Sequence, residues 1–283
     1  MTGESCVVVV LTFNSAAIIA ETLVQAKKVS PTIYVVDSGS TDGTVEIARN
    51  LNCDVVHRAF TNYSDQRNWA IKQVAPLGAW QLHLDADEVL DDLATSEISG
   101  VLQGTRQYDA YMLKRRDYFM GQMLRFSGVN PWHMRLFRTG VGQCENRLYD
   151  QHFVSSRPVG RLDGLMHDKN ALALSDWIAR HNRWSDLEAK ESLSSDSGRP
   201  DILQARFFGD ARERTRFFKK LYYRQPIGIR AVSYFIYRYV IRLGFLDGVT
   251  GFYFAFFQAF WFRMLVDAKV YESRSIFKNE QRV

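Results

Sequence analysis

WQLHLDADEVL, residues Trp80 to Leu90, begins as a buried strand and ends as a cluster of acids. Apolar residues run up to Leu84, and then Asp85, Asp87 and Glu88 crowd into four positions where the strand should stop. Three carboxylates this close repel one another, and a cation among them relieves the repulsion. Hard oxygen ligands at the carboxyl end of a parallel strand suit Mg²⁺ or Mn²⁺ accompanying a phosphate. The same residues also read as a solvated acidic turn, so the stretch needs its neighbours.

Upstream, strand-like and helix-like segments alternate. Cys6 to Leu11 (CVVVVL) is a β-branched run of strand length, and Ala16 to Lys28 carries Ile18, Ile19, Leu23 and Ala26 at helical spacing. Ile33 to Val36 predicts a second strand. The loop Asp37 to Thr44 (DSGSTDGT) leads into a helix to Leu51, Asp54 to His57 is a third strand, and Tyr63 to Val74 a helix before Trp80. Four such alternations predict a parallel sheet with helices on both faces, in which ligands bind beyond the carboxyl ends of the strands. Asn14, Asp37 and Asp85 all fall at such ends, so three polar loops converge on one rim. Thr41 and Asp42 read as helix caps, but Asp37 precedes the turn and capping does not account for it.

Downstream the pattern is less regular. Ala110 to Leu113 and Met134 to Phe137 read as strands, Leu174 to Lys190 as a helix, and Ser192 to Pro200 (SLSSDSGRP) as a linker. The expected domains are therefore a catalytic α/β domain over 1–195 and a basic, aromatic-rich helical region over 196–283.

A chain of 283 residues with 46% hydrophobic residues can bury a sizeable core. Cys6, Cys53 and Cys144 lack metal-ligand spacing and read as reduced, buried thiols. Val7 to Leu11 is too short for a secretion signal, and Glu4 precedes it, so a cytoplasmic location is expected. The formal net charge of +5 is unevenly spread: Leu203 to Gly244 holds ten Lys or Arg against Asp210 and Glu213. Arginines interleaved with Phe and Tyr there raise a nucleic-acid-binding alternative, but the segment leads into an apolar stretch that RNA binding does not need. If Gly228 to Leu243 is one helix, Ile229, Val232, Phe235, Ile236, Tyr239, Val240 and Leu243 share one side, and Arg230, Tyr234, Arg238 and Arg242 the other. That pattern predicts a helix lying in a headgroup layer with its arginines toward anionic lipid. Gly248 to Phe262 (GVTGFYFAFFQAFWF) is aromatic but shorter than the ~20 residues a spanning helix needs, with Asp247 and Arg263 at its ends. Peripheral attachment is expected, not a span.

With these pieces in place the chain resembles a family 2, GT-A type inverting glycosyltransferase, similar to bacterial enzymes of lipopolysaccharide-core and exopolysaccharide assembly. The resemblance rests on LTFN at Leu11 to Asn14, VVDSGSTDGT at Val35 to Thr44, SDQRNWAI at Ser64 to Ile71 and LDADE at Leu84 to Glu88, with weaker likeness over the next 100 residues or so. It implies a GT-A, Rossmann-like nucleotide-diphospho-sugar transferase domain and hexosyl transfer from a nucleoside-diphosphate sugar, UDP favoured, to a lipid-linked glycan at the inner face of the cytoplasmic membrane. It further implies that Asp37 accepts a hydrogen bond from the nucleobase, that Thr12 and Asn14 shape the base and ribose pocket, and that Arg67 lies near the base or diphosphate. Asp85 would approach the ribose, and Asp87 would coordinate Mg²⁺ or Mn²⁺ with His167 completing the metal site. The general base falls near LYDQHF, where Gln151 occupies the place of the family's glutamate; Asp150 is the first candidate and Glu145 the second. A sugar-nucleotide nucleotidyltransferase is the enzymatic alternative, but it should carry a glycine-rich loop after the first strand, and LTFNSAA has no glycine.

Overall fold

The computed structural model describes residues 3–105, 107–129, 132–146, 151–169, 173–194, 208, 217–218, 221–222 and 224–280. They form two compact units, one from the chain up to about residue 171 and one from the chain beyond it together with the short stretch Leu124–Gly128.

The first unit is built on β1 (Cys6–Thr12), every residue of which is buried. β1 lies between β2 (Ile33–Asp37) and β4 (Trp80–Asp85), and β3 (Asp54–His57) follows β2; all three pairings are parallel. A strand covered on both faces should read as a continuous apolar run, as CVVVVLT does. Val8 and Val10 pack with Ile19 and Leu23 of α1 (Ile19–Lys27), whereas Val7, Val9 and Leu11 pack with Ala70 and Val74 of α3 (Tyr63–Val74). Helices therefore cover both faces, as the alternation predicts. α2 (Thr44–Asn50) follows β2.

Beyond β4 the sheet becomes mixed. The strand order is β3-β2-β1-β4-β8-β6-β11-β5, with β7 (Gln122–Met123) on β6. β8 (Trp132–Arg138) runs antiparallel to both β4 and β6 (Ala110–Phe119). β11 (Val159–Asp168) runs parallel to β6 and antiparallel to β5 (Glu88–Leu90). α4 (Asp92–Leu102) follows β5, and β9 (Gly142–Cys144) pairs with β10 (Phe153–Ser155) in a separate hairpin.

Two expectations change in this half. β6 extends well past Leu113 because Arg115 pairs with Asp117 at 2.8 Å and with Asp168 of β11 at 3.4 Å, so a charged run remains in the sheet. β11 itself escaped the sequence reading. α1 also begins later than Ala16, because the Ser15 and Ala16 N–H groups donate to Thr44 Oγ1 and Asp42 Oδ2 and hold that turn out of the helix.

In the second unit, α5 (Leu174–Ser194) packs on α8 (Phe262–Glu280) through Trp184, Ala189, Phe262, Val266 and Val270. α6 (Ile229–Ile236) widens into a π turn at Tyr237–Ile241, and α7 (Gly248–Ala255) runs through a second π turn, Phe256–Trp261, into α8. The helix thus does not stop at Arg263. That residue's charge is spent within the unit on Glu188, at 2.7 Å. The helical stretch Gly244–Ser275 is long and apolar enough to cross a membrane by length and composition alone. The arginines of α6 depart from the expectation: Arg230 and Arg238 are buried, while on the aliphatic side Ile229, Val232, Ile236, Val240 and Leu243 are exposed and Phe235 and Tyr239 half-buried. The reason is tertiary. Asp267 on α8 and the Ser127 carbonyl supply partners that the period of a single helix does not reveal.

Candidate active site

Sheet register brings the predicted residues into a row. Thr12 is opposite Asp37, Leu11 is opposite Asp85, and Asp37 is opposite His57, all on adjacent parallel strands spaced at about 4.8 Å. The loops after β1 and β2 are then tied together. Asn14, held at φ +47°, receives the Thr41 N–H at Oδ1 (2.9 Å), and its own N–H donates to Ser40 Oγ (2.8 Å). Asp37 is buried, and its carboxylate accepts from the N–H groups of Gly39 (2.9 Å) and Ser40 (3.0 Å) and from the Ser40 hydroxyl (2.5 Å). Gly39 takes φ +97°, a conformation that side chains disfavour, which lets the loop fold back over this carboxylate. Asp37 and Asn14 therefore shape the rim as well as sitting on it. Thr12 Oγ1 is buried with no hydrogen-bond partner among the described residues, a donor and acceptor facing the row.

α3 enters the site over its Asn62 cap, whose side chain accepts from Asp65 N–H at 2.8 Å. Arg67 on its buried side donates to the Leu84 carbonyl (3.2 Å) and pairs with Asp85. The other Asp85 oxygen lies 3.4 Å from Arg135, which also holds Glu88 at 2.5 Å. Two arginines and two carboxylates thus interlock at the end of β4, and both guanidinium groups lie over the Phe153 ring, at 5.5 and 5.8 Å. Burial, seconded by the charges of Arg67 and Arg135, holds the His83 imidazole well below its usual range, so it is neutral. Burial pushes the Glu88 carboxyl up against the opposing pull of Arg135.

Asp87 lies in the turn between β4 and β5, partly exposed. Its carbonyl accepts from Lys169 N–H at 2.9 Å, which sets the end of β11 beside it. Alternation along β11 turns its last two residues to opposite faces. Asp168 shares its side with Glu88 and Asp117; burial first, and then the Asp87 charge, raise its carboxyl well above the usual range, with Arg115 opposing. His167 is on the other side, its Nδ1 3.2 Å from the Tyr118 hydroxyl, and burial lowers its pKa. Asp168, Arg115 and Arg135 were not among the residues singled out from sequence. The first is in the same LMHDK segment as His167, and strand alternation would have separated the two had β11 been recognised. Asp87 and the buried carboxyl whose pKa it raises, Asp168, form a donor set that fits a hard divalent cation. Among the described residues no three His, Cys, Asp or Glu side chains form a ready metal cage, so a cation held here would need further oxygens from phosphate or water.

The β9–β10 hairpin is fixed to α3 by Asn68, which exchanges two 2.9 Å hydrogen bonds with the Cys144 backbone, and by Ser64, which donates to the Glu145 carbonyl at 2.5 Å. The Glu145 side chain is buried and accepts from His152 N–H at 3.2 Å. Asp150 falls in the hairpin connection and lies outside the described residues, as does most of the expected linker Ser192–Pro200. All three cysteines are buried free thiols, as expected.

Residues 7–150 match the family described as Glycosyl transferase family 2. The chain belongs to glycosyltransferase family 2. Family 2 membership makes it a glycosyltransferase and takes the reading away from nucleotidyl transfer. It is 25% identical over 253 residues to the lipopolysaccharide core biosynthesis glycosyltransferase LpsC of Rhizobium meliloti (strain 1021), covering 86% of this chain and 84% of that protein. An uncharacterized glycosyltransferase of Rickettsia bellii (strain RML369-C) is 28% identical over 251 residues, covering 86% and 78%. Among solved structures, the mannosyltransferase PcManGT from Pyrobaculum calidifontis, in complex with GDP-Man and Mn²⁺, superposes with a TM-score of 0.51 at 14% identity, covering 95% of this chain and 86% of that one. The shared architecture is the GT-A fold.

Proposed function

We propose that this family 2 member transfers a hexosyl group, with inversion, from a nucleoside-diphosphate sugar to a lipid-linked glycan at the inner face of the cytoplasmic membrane, in lipopolysaccharide-core or related polysaccharide assembly. UDP is the favoured carrier. The observation that supports this most directly is the row of Thr12, Asp37 and Asp85 on adjacent strand ends, flanked by Arg67 and Arg135 and followed by Asp87 with Asp168. In this reading Thr12, Asn14 and Asp37 form the wall for base and ribose. Arg67 holds Asp85 toward the ribose and places positive charge near the diphosphate. Asp87 and Asp168 would hold Mg²⁺ or Mn²⁺, which supplies positive charge to the leaving diphosphate. His167 remains a candidate for the same site from the other side of β11.

The acceptor hydroxyl attacks the anomeric carbon, the bond from that carbon to the diphosphate oxygen breaks, and the diphosphate leaves with the electron pair. The hydroxyl proton passes to a carboxylate. Asp150 is the first candidate for that base, because the Glu145 carboxylate is buried and already accepts from His152 N–H. The likeness to LpsC, whose name places it in lipopolysaccharide core biosynthesis, supports the acceptor class, and the GDP-Man and Mn²⁺ bound to PcManGT make GDP the first carrier to test against UDP. The test is a melting series with UDP, GDP, dTDP and CDP, each with and without Mn²⁺. A nucleotide at ~100 times its dissociation constant stabilises by ~2.7 kcal/mol, and that shift should require the metal. A chain whose melting none of the four moves is not this enzyme.

A further inference from the structure

An amphipathic helix on a protein surface ordinarily turns its charges out and its aliphatic side in. α6 does the reverse. Arg230 donates through Nε to both Asp267 oxygens, at 2.8 and 2.9 Å, and the same carboxylate accepts the Gly228 N–H at 3.3 Å. Arg238, only 3% exposed, donates to the Ser127 carbonyl and to the Tyr234 hydroxyl. With its charges satisfied inside the second unit, α6 turns Ile229, Val232, Ile236 and Val240 to the outside, at spacings of three and four residues. The surface continues past the turn at Gly244 through Leu246 and Val249, the latter 72% exposed.

We infer that this inverted apolar face of α6, with the turn leading into α7, inserts into the hydrocarbon edge of a lipid leaflet while its arginines remain in the protein. The inference deepens the membrane-associated reading above and rests on it, naming the surface and the mode of contact. Three observations select lipid over a second copy of the chain. The chain continues into Gly244–Ser275, a helical stretch apolar enough to sit in a membrane and for the most part not buried within the fold. Its border carries exposed Tyr237 and Tyr253, side chains suited to the boundary between headgroups and acyl chains. The basic excess of Leu203 to Gly244 is adjacent in sequence, and exposed Arg224 remains available to anionic headgroups after Arg230 and Arg238 have been withdrawn. Because those two arginines are spent internally, the dominant contact is apolar and is weakly screened by salt.

The test uses the full chain with two sets of vesicles, phosphatidylcholine alone and phosphatidylcholine with one quarter phosphatidylglycerol, floated at 0.1 and 1 M NaCl. The comparison is with a combined Val232→Gln, Ile236→Gln and Val240→Gln variant, whose positions are exposed and whose new side chains favour helix. Wild type is expected to float with both vesicle types and to keep most of its binding at 1 M NaCl, while the variant loses at least tenfold in partitioning with an unchanged melting temperature. Wild type that never floats, binding abolished by 1 M NaCl, or a variant that floats as well as wild type overturns the inference. So does a wild-type dimer by light scattering that the variant converts to monomer without changing flotation. A variant that has lost its fold is recognised by melting, and single Ile236→Gln, at an exposed position, then carries the comparison. Nucleotide-dependent melting separates the two readings: protein that floats through this face yet ignores every nucleoside diphosphate keeps the insertion surface and loses the transferase assignment.

Discussion

Asp85 and Asp87 are two residues apart, and their replacement by asparagine should have opposite consequences. Asp85 lies between Arg67, whose side chain is 5% exposed, and Arg135, 10% exposed, while Asp85 itself is 36% exposed. Asparagine keeps one oxygen to accept from one arginine, but it removes the charge that sits between two buried guanidinium groups, of which Arg135 keeps its pair with Glu88. Breaking a fully buried pair costs ~3–5 kcal/mol. Water reaches about a third of the Asp85 side chain and takes up part of that loss, leaving ~2 kcal/mol. For a chain of this length that is a fall of ~4–8 °C in melting temperature without any ligand. Asp87, in contrast, raises the pKa of buried Asp168, so Asp87→Asn removes a repulsion and should leave the ligand-free melt within ~1 °C of wild type. Its defect should appear on adding UDP or GDP with Mn²⁺, as a missing metal-dependent shift. Scanning fluorimetry of both variants, with and without ligands, reads the two effects separately. If Asp85→Asn melts with wild type, or Asp87→Asn falls as far as Asp85→Asn, the division into a structural clamp and a cation-holding turn is wrong.

Asp150→Asn should lower turnover by ~10² to 10⁴ with nucleotide binding intact; near wild-type transfer in that variant together with an inactive Glu145→Gln would move the base to Glu145. His181, stacked on Trp177 with ring centroids 3.4 Å apart, has its pKa pushed down to about 4 by burial, whereas an unfolded histidine titrates near 6.5. Its contribution is complete above pH ~6.5 and is lost as pH falls toward 4, by ~3 kcal/mol in all; urea midpoints between pH 7 and 4 should therefore fall more steeply for wild type than for His181→Gln, and parallel curves would refute the assignment. Gly251→Ala would place a Cβ against the Gly244 carbonyl oxygen and 2.6 Å from Asp247 Cβ, atoms fixed by the turn, and should cost ~1–3 kcal/mol in urea unfolding. An unchanged midpoint would show that the turn can open.

What the sequence disclosed, and what it withheld, follow from the range of the interactions involved. β1, β2 and β4 were legible because each is an apolar run buried along nearly all its length, and short, partly exposed β3 because it falls between two helical patterns; the loops between them announce themselves through Gly, Ser and Asp. The rim was legible for the same reason, since parallel strands bring their carboxyl ends together, and the register then sets Thr12 opposite Asp37 and Asp85 opposite Leu11. β11 was not, because its charged end is held in the sheet by Arg115, about fifty residues away, and VGRLDGLMHD has no apolar run of its own. Missing the strand meant missing its alternation, and with it the distinction between Asp168 and His167. α6 failed by the same logic in the opposite direction. Its period was read correctly, but a period states only that two sides differ, and which side faces water depends on partners elsewhere. Asp267 and the Ser127 carbonyl claim the arginines, so the helix presents its aliphatic side, and a surface that the pattern alone would make electrostatic becomes an apolar one.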